Sequence, residues 1–196
     1  MPKVSQEHLE SQRLHILMAA FKCFGRKGFH ETTMREICKE AEMSPGAVYN
    51  YFDGKKAIIR AIAEKSRSTV HDLFDSVDQS KSAVHTLQEI LKKMAEHIEY
   101  PETENGHVIR IRLWGEILKD EELKNIFKEN INDLTIRLSE LIEKAKKEKG
   151  IRSNINESDL AQFIIATYQG MVLQQALNVN TEVSSIFKLI LELVRK

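Results

Sequence analysis

A chain of 196 residues, 42% hydrophobic with only three prolines and eight glycines, has room for a real core; its composition excludes disorder and favours a helical globular protein. Its 29 basic and 29 acidic side chains cancel, which argues against a nucleic-acid binder only until they are divided: residues 1–65 hold 11 Lys and Arg against 8 Asp and Glu, and the rest carries the compensating acidic excess. The N-terminus lacks an apolar run and no later run approaches about 18 apolar residues, so neither a signal peptide nor a membrane span is expected and the location should be cytoplasmic.

Residues 1–7 read as an arm whose single lysine is Lys3. The first helix is predicted from about Glu10 to Lys27. Leu14, Leu17, Phe21 and Phe24 recur at spacings of three and four, and Ile16 and Ala20 widen the stripe. Gly28 ends it, after Arg26 and Lys27 in the last turn, and Phe29 should plug the corner. Cys23 and Cys38, the only cysteines, fall on inward faces and read as buried thiols rather than a redox pair.

The stretch Thr32 to Lys55, TTMREICKEAEMSPGAVYNYFDGK, carries the densest signals in the chain. Thr33 followed by Glu36 makes a capping box, and Met34, Ile37, Cys38 and Ala41 share one helical face. Glu42-Met43 forms a turn. Ser44 caps the next helix and Pro45 occupies its first position, where no backbone N–H is lost. That helix, Pro45 to Tyr51, points Val48 and Phe52 inward and leaves Gly46, Ala47, Tyr49, Asn50 and Tyr51 outside. Small residues let its backbone approach a partner closely, and hydroxyl and amide groups follow. A helix-turn-helix uses such a segment in the major groove, with phosphate clamps around it. The competing reading is a two-helix corner of a helical core with exposed tyrosines.

TTMREICKEAEMSPGAVYNYFDGKKAII resembles the DNA-binding signature of TetR-family transcriptional regulators. It has the Thr-Thr cap, the Ile-x-x-x-Ala helix, the Ser before a small-residue helix, Tyr-x-Tyr-Phe, and the Lys at the next helix start. The resemblance covers about the first 60 residues; beyond them only the helix layout agrees. Two positions depart from the family. Glu42 stands where Gly is usual, and Asp53-Gly54-Lys55-Lys56 replaces Pro-Ser-Lys-Glu, which weakens the next cap and places a cation where the helix dipole favours an anion.

A fourth helix is predicted from about Lys55 to Ser76, giving Ile58, Ile59 and Ile62 to the head and Val70, Leu73, Phe74 and Val77 to the body. With no Pro-rich or Gly-rich linker between them, head (1–54) and body (55–196) should move as coupled parts. A fifth helix spans about Ser82 to Glu99, with Val84, Leu87, Ile90, Leu91, Met94 and Ile98 on a wide apolar face, and Pro101 stops it. The sixth runs from about Gly106 to Lys119 and the seventh from Asp120 to Gly150, its KAKKEKG tail a solvated end. The eighth, capped by Asn156, reaches about Leu177 and is apolar on two sides; Gly170 lies in its middle, where close helix packing would explain it. The ninth covers Thr181 to Arg195. The fold expected is all-α, an N-terminal three-helix DNA-binding head on a C-terminal helical bundle, about nine helices in all. The resemblance implies that the last two helices pair with those of a second copy, and Ile165, Tyr168, Val172, Gln175, Phe187, Ile190 and Leu191 are the expected contacts; a deep intramolecular core is the alternative.

No phosphate-binding Gly loop, nucleophile elbow or HExxH helix occurs, and no Cys/His group has metal-ligand spacing, so an enzyme, a metal site and a cofactor are not expected. A ligand site is. Met94, His97, Arg110, Trp114, Phe127, Asn130, Phe163, Thr167, Met171 and Gln174, with Tyr100 and His107 near them, combine apolar bulk with isolated polar groups, as in a mostly apolar cavity with a few anchors. The reading is a dimeric DNA-binding regulator, more often a repressor in such a scheme, released from its double-stranded operator by an apolar or amphipathic effector. Tyr49, Asn50 and the Gly46–Ala47 backbone would approach bases. Thr33, Ser44, Tyr51, Lys55 and Lys56 would hold phosphates, with Arg35 and Pro45 beside them. Its rivals are an effector-independent protein of the same fold that recruits another protein, and a helical carrier with a vestigial head.

Overall fold

The computed structural model describes residues 6–78, 80–101 and 106–196, excepting the side chains of residues 66–71; Lys3 and the side chain of Val70 lie outside the described residues. Within them are nine helices: α1 (Gln6–Lys27), α2 (Met34–Glu40), α3 (Pro45–Tyr49), α4 (Lys55–Asp75), α5 (Ala83–Glu99), α6 (Gly106–Ile117), α7 (Glu121–Lys147), α8 (Glu157–Ala176) and α9 (Val183–Val194). Their starts are set by side chains that accept the free N–H groups of a first turn. Ser82 accepts from His85 N, Asp120 from Glu122 N and Leu123 N, and Asn156 from Asp159 N; each such cap contributes about 1 kcal/mol. α4 and α9 differ, since no side chain bonds to the first turn of either, and the N-cap of α4 is Gly54.

Two buried clusters organise the helices. One fills the body, with Leu87, Ile90 and Ile98 of α5, Leu138 and Ile142 of α7, Ile164 and Val172 of α8, and Phe187 of α9. The other joins Ile16, Ala20 and Phe24 of α1, Ile37 of α2, Val48 and Phe52, and Ile58 of α4 to Ile109, Leu113 and Ile117 of α6 and Leu123 of α7. The head therefore closes its core on the body. α1 differs from expectation in its centre: Ile16, Ala20, Cys23 and Phe24 are buried, while Leu14 is exposed. Cys23 and Cys38 are free and buried, and burial raises both thiols above their usual range.

α1 crosses α6 at close range. A Cβ placed on Gly25 would lie 2.4 Å from Ile109 Cγ1, and Arg112 of α6 donates to the Gly25 carbonyl at 2.5 Å. Asp120 and Glu122, at the start of α7, pair with Lys56 (2.8 Å) and Arg60 (2.6 Å) of α4. Asn130 of α7 donates to the Ala63 carbonyl at 2.9 Å.

The face of α8 and α9 expected to meet a second copy is corrected by the burial pattern. Ile165, Val172, Phe187, Ile190 and Leu191 are buried in the chain's own body core, while Tyr168 and Gln175 are half-buried and bonded within the chain. Of the five buried groups only Ile165 also borders a cleft, the one between α7 and α8. Phe163 and Thr167, assigned to a ligand, stand on the outer side. The outer stripe is Phe163, Ala166, Gly170, Leu173 and Leu177 at spacings of three and four, with Leu189 and Leu193 on α9.

The α2–α3 turn shows how the chain does without a glycine at position 42. Glu42 has φ 51, in the left-handed region, with its N–H on the Lys39 carbonyl and the Met43 N–H on the Cys38 carbonyl. A side chain there costs energy that glycine does not. Glu42→Gly is expected to raise thermal stability by up to about 1 kcal/mol, read as a higher unfolding midpoint; an unchanged or lower midpoint would mean that the glutamate side chain offsets its own strain.

Candidate nucleic-acid interface and body site

α2 and α3 carry the exposed polar groups of the head. Thr33 Oγ1 accepts from Glu36 N (3.2 Å) and Glu36 Oε2 from Thr33 N (2.9 Å), closing the capping box. Lys27 pairs with Glu36, and that bond with those of Thr33 holds the Glu36 carboxyl down at about 2. Ser44 Oγ accepts from Ala47 N at 3.2 Å and Pro45 takes the first position of α3. α3 is five residues long and Asn50 is its C-cap, so it ends before the expected Tyr51. Val48 and Phe52 are its buried anchors. On the other side Pro45, Gly46, Tyr49 and Asn50 are exposed, Tyr49 at 49%. Nothing lies within 4 Å of a Cβ built on Gly46, so internal packing does not require a glycine there.

Thr33 and Ser44 are exposed, while Ala47 and Tyr51 are half-buried, Tyr51 against the head core. Arg35 is exposed on α2. Lys39, one turn on, is exposed too; sequence reasoning did not single it out, although its i,i+4 spacing from Arg35 was visible. The two lysines at the α4 start have internal partners. Lys55 Nζ donates to the Phe29 and His30 carbonyls (2.7 and 3.1 Å) and lies 4.6 Å from the centre of the Phe29 ring. Lys56 pairs with Asp120, which raises the lysine and lowers the carboxyl.

The ten residues expected to line a ligand cavity are not brought together. Met94 and Met171 are buried in the body core, and Trp114 packs against both clusters with Phe127 at 6.3 Å between ring centres. Asn130 clamps α4 instead, though its Oδ1 is buried without a partner. Gln174 Oε1 accepts from Thr181 Oγ1 at 3.0 Å, and Thr167 donates to the Phe163 carbonyl. His97 and Arg110 do meet, and Tyr168 joins them. Arg110 Nη2 donates to His97 Nε2 at 2.6 Å and Nη1 to Tyr168 Oη at 3.2 Å; His97 Nδ1 lies 2.9 Å from the same oxygen. A guanidinium can only donate, so Nε2 accepts and the neutral ring carries its hydrogen on Nδ1, which donates to Tyr168. Burial, then Arg110 and His107, push the His97 pKa down to about 4. Clefts of about 390 and 410 Å³ lie elsewhere, one beside Cys23, Arg26 and Glu36 and one between α7 and α8 at Lys128, Ile131 and Gln162.

Residues 16–62 match the family described as bacterial regulatory proteins, tetR family. The chain is 22% identical over 176 residues to an HTH-type transcriptional repressor of Mycobacterium tuberculosis, covering 90% of this chain and 88% of that one. It is 26% identical to the HTH-type transcriptional regulator UidR of Escherichia coli K12, over 80% of this chain and 88% of the relative. In fold it is similar to Salmonella enterica GusR, with a TM-score of 0.72, 22% identity and 96% of each chain covered.

The His97 site gives the body an acid-labile point. Between about pH 6.5 and 4 the unfolded chain binds the His97 proton and the folded chain does not, so stability rises with pH there, by up to about 1.4 kcal/mol per pH unit. Thermal melts from pH 4 to 7 should show this slope, and His97→Gln should flatten it; an equal slope in the variant would place the acid sensitivity elsewhere.

Proposed function

The chain belongs to the TetR family of bacterial transcriptional regulators, and we propose that it is a dimeric repressor whose α3 reads operator DNA and whose body releases that DNA on binding a small apolar or amphipathic effector. The observation that carries the DNA reading is α3 itself. Val48 and Phe52 fix one side, while open space over Gly46 and exposed Tyr49 and Asn50 leave the other side for a groove. Tyr49, Asn50 and the Gly46–Ala47 backbone approach bases. Thr33, Arg35, Ser44, Pro45 and Tyr51 flank them at the phosphates, and Lys39 joins Arg35 from α2. Lys56 reaches a phosphate by exchanging it for Asp120, and Lys55 acts partly by holding the loop after α1.

In this reading residues 1–54 are the DNA-binding unit and 55–196 the effector and dimer unit, joined through α4 and the core shared with α6. The outer stripe of α8 and α9 meets its copy. A Cβ on Gly170 would find nothing within 4 Å in its own chain, which leaves room for a partner helix. A dimer sets the two α3 helices about 34–36 Å apart, one DNA turn. A ligand that prefers a different α4 angle changes that spacing and weakens DNA binding.

Tyr49→Ala and Arg35→Ala are expected to weaken binding to DNA from upstream of the protein's own gene without lowering thermal stability. Arg35→Ala should also reduce the slope of log K against log salt by about 1. Wild-type affinity in both variants would move the interface off this surface.

Sedimentation tests the assembly. Phe163→Arg and Leu177→Arg should give a folded monomer, because an arginine buried between copies costs several kcal/mol. Ile165→Arg, inside the protomer, should instead unfold the chain. A wild-type chain that sediments at 22.6 kDa at micromolar concentration removes the interface.

A further inference from the structure

Arg110 stands on α6 one helical turn before Trp114, half-buried where α5, α6 and α8 meet. Its surroundings are unusual for a cation. Its two hydrogen bonds go to neutral groups, His97 Nε2 and Tyr168 Oη, and it has no carboxylate partner among the described residues. A guanidinium has five N–H donors, and the half-buried Arg110 spends two of its nitrogens on these side chains. A carboxylate accepts a stronger, charge-assisted bond from a guanidinium than either of these neutral groups does. A second polar group lies beside it: burial and then the Arg110 guanidinium lower the His107 pKa, against a backbone hydrogen bond at Ile98 that raises it. Around this point the body is apolar, with Met94 and Ile98 of α5 and Met171 of α8 buried.

We propose that Arg110 is the recognition point for the anionic head of the effector, a monocarboxylate on an apolar body, with His97 and Tyr168 as positioning residues that hold the guanidinium. The planar fork of Arg110 matches the two oxygens of a carboxylate. The site supplies one positive charge, since His97 is neutral, and so balances a monoanion rather than a phosphate dianion. The apolar body of the ligand extends toward Trp114 on the same side of α6. This rests on the effector reading given above and names the chemistry of that effector.

The test compares decanoate with decanol, which share an apolar chain and differ in the head group, using the emission of Trp114 as the signal; it is the only tryptophan. The full-length wild type is expected to bind decanoate about tenfold more tightly than decanol, the usual worth of a charge-assisted hydrogen bond. Arg110→Met should bind the two equally, with decanol affinity unchanged, and Arg110→Lys should keep part of the preference. Equal affinities in the wild type, a preference that survives Arg110→Met, or no response to decanoate at millimolar concentration would each overturn the anion site. The wild-type comparison decides the matter even where Arg110→Met does not fold. Gel shifts on the same samples separate this inference from the reading beneath it. Equal release of DNA by both compounds removes the anion site and leaves the effector reading. Decanoate held by Arg110 with DNA still bound supports the site and overturns effector release.

Discussion

Ile109, Leu113 and Ile117 of α6 lie in one buried cluster with Ile16, Phe24 and Ile58 of the N-terminal helices, and the rest of the architecture depends on that shared core. α1 with the two short helices around Ile37 and Val48 buries too little on its own. Each fully buried aliphatic or aromatic side chain contributes only about 1.5–3 kcal/mol before the entropy of ordering is subtracted. By lending α6 and the start of α7 to the head, the chain gives α2 and α3 a rigid support. The same lending means that α1 and α4 cannot shift against the body without disturbing packing, so displacements at α6 reach the head through contact rather than through a flexible linker.

Polar contacts reinforce this joint and draw on Lys55, Lys56 and Arg60, basic residues of the first third of the chain. Arg112 donates to the Phe24 and Gly25 carbonyls, Lys56 and Arg60 pair with the acidic start of α7, and Lys55 spans the loop after α1. The excess of cations in the first third of the chain is therefore partly structural. Exposed pairs of this kind are worth little singly and weaken in salt. Salt thus acts on the joint between head and body as well as on the phosphate contacts proposed for Arg35 and Lys39.

Much of this was legible in the sequence because it was local. Thr33 with Glu36, Ser44 with Pro45, and Asn156 announce helix starts through bonds closed within three residues, and the caps form as read. The alternation of Val48 and Phe52 with Tyr49 and Asn50 separated the inner and outer sides of α3 in the same way. α8 was not legible to that degree. It is apolar on two sides, and periodicity alone cannot say which side the protomer keeps; burial of Ile165 and Val172 and exposure of Phe163 and Leu177 reverse the assignment. The partners of Asn130, Lys55 and Lys56 lie 67, 26 and 64 positions away along the chain, beyond any local pattern. The meeting of His97, Arg110 and Tyr168 joins three helices and became visible only once they were packed.

The near-contact of Gly25 with Ile109 has a consequence for how this chain can change over generations. Every residue other than glycine brings the atom that has no place there, so each single-base substitution altering that amino acid meets the Ile109 side chain. A neutral path away from glycine needs the Ile109 side chain to turn away or a smaller residue at 109, and the two positions are expected to drift together: glycine opposite a branched partner, or alanine and serine opposite a lesser one. In a set of relatives, that paired variation would trace the α1–α6 crossing by descent alone.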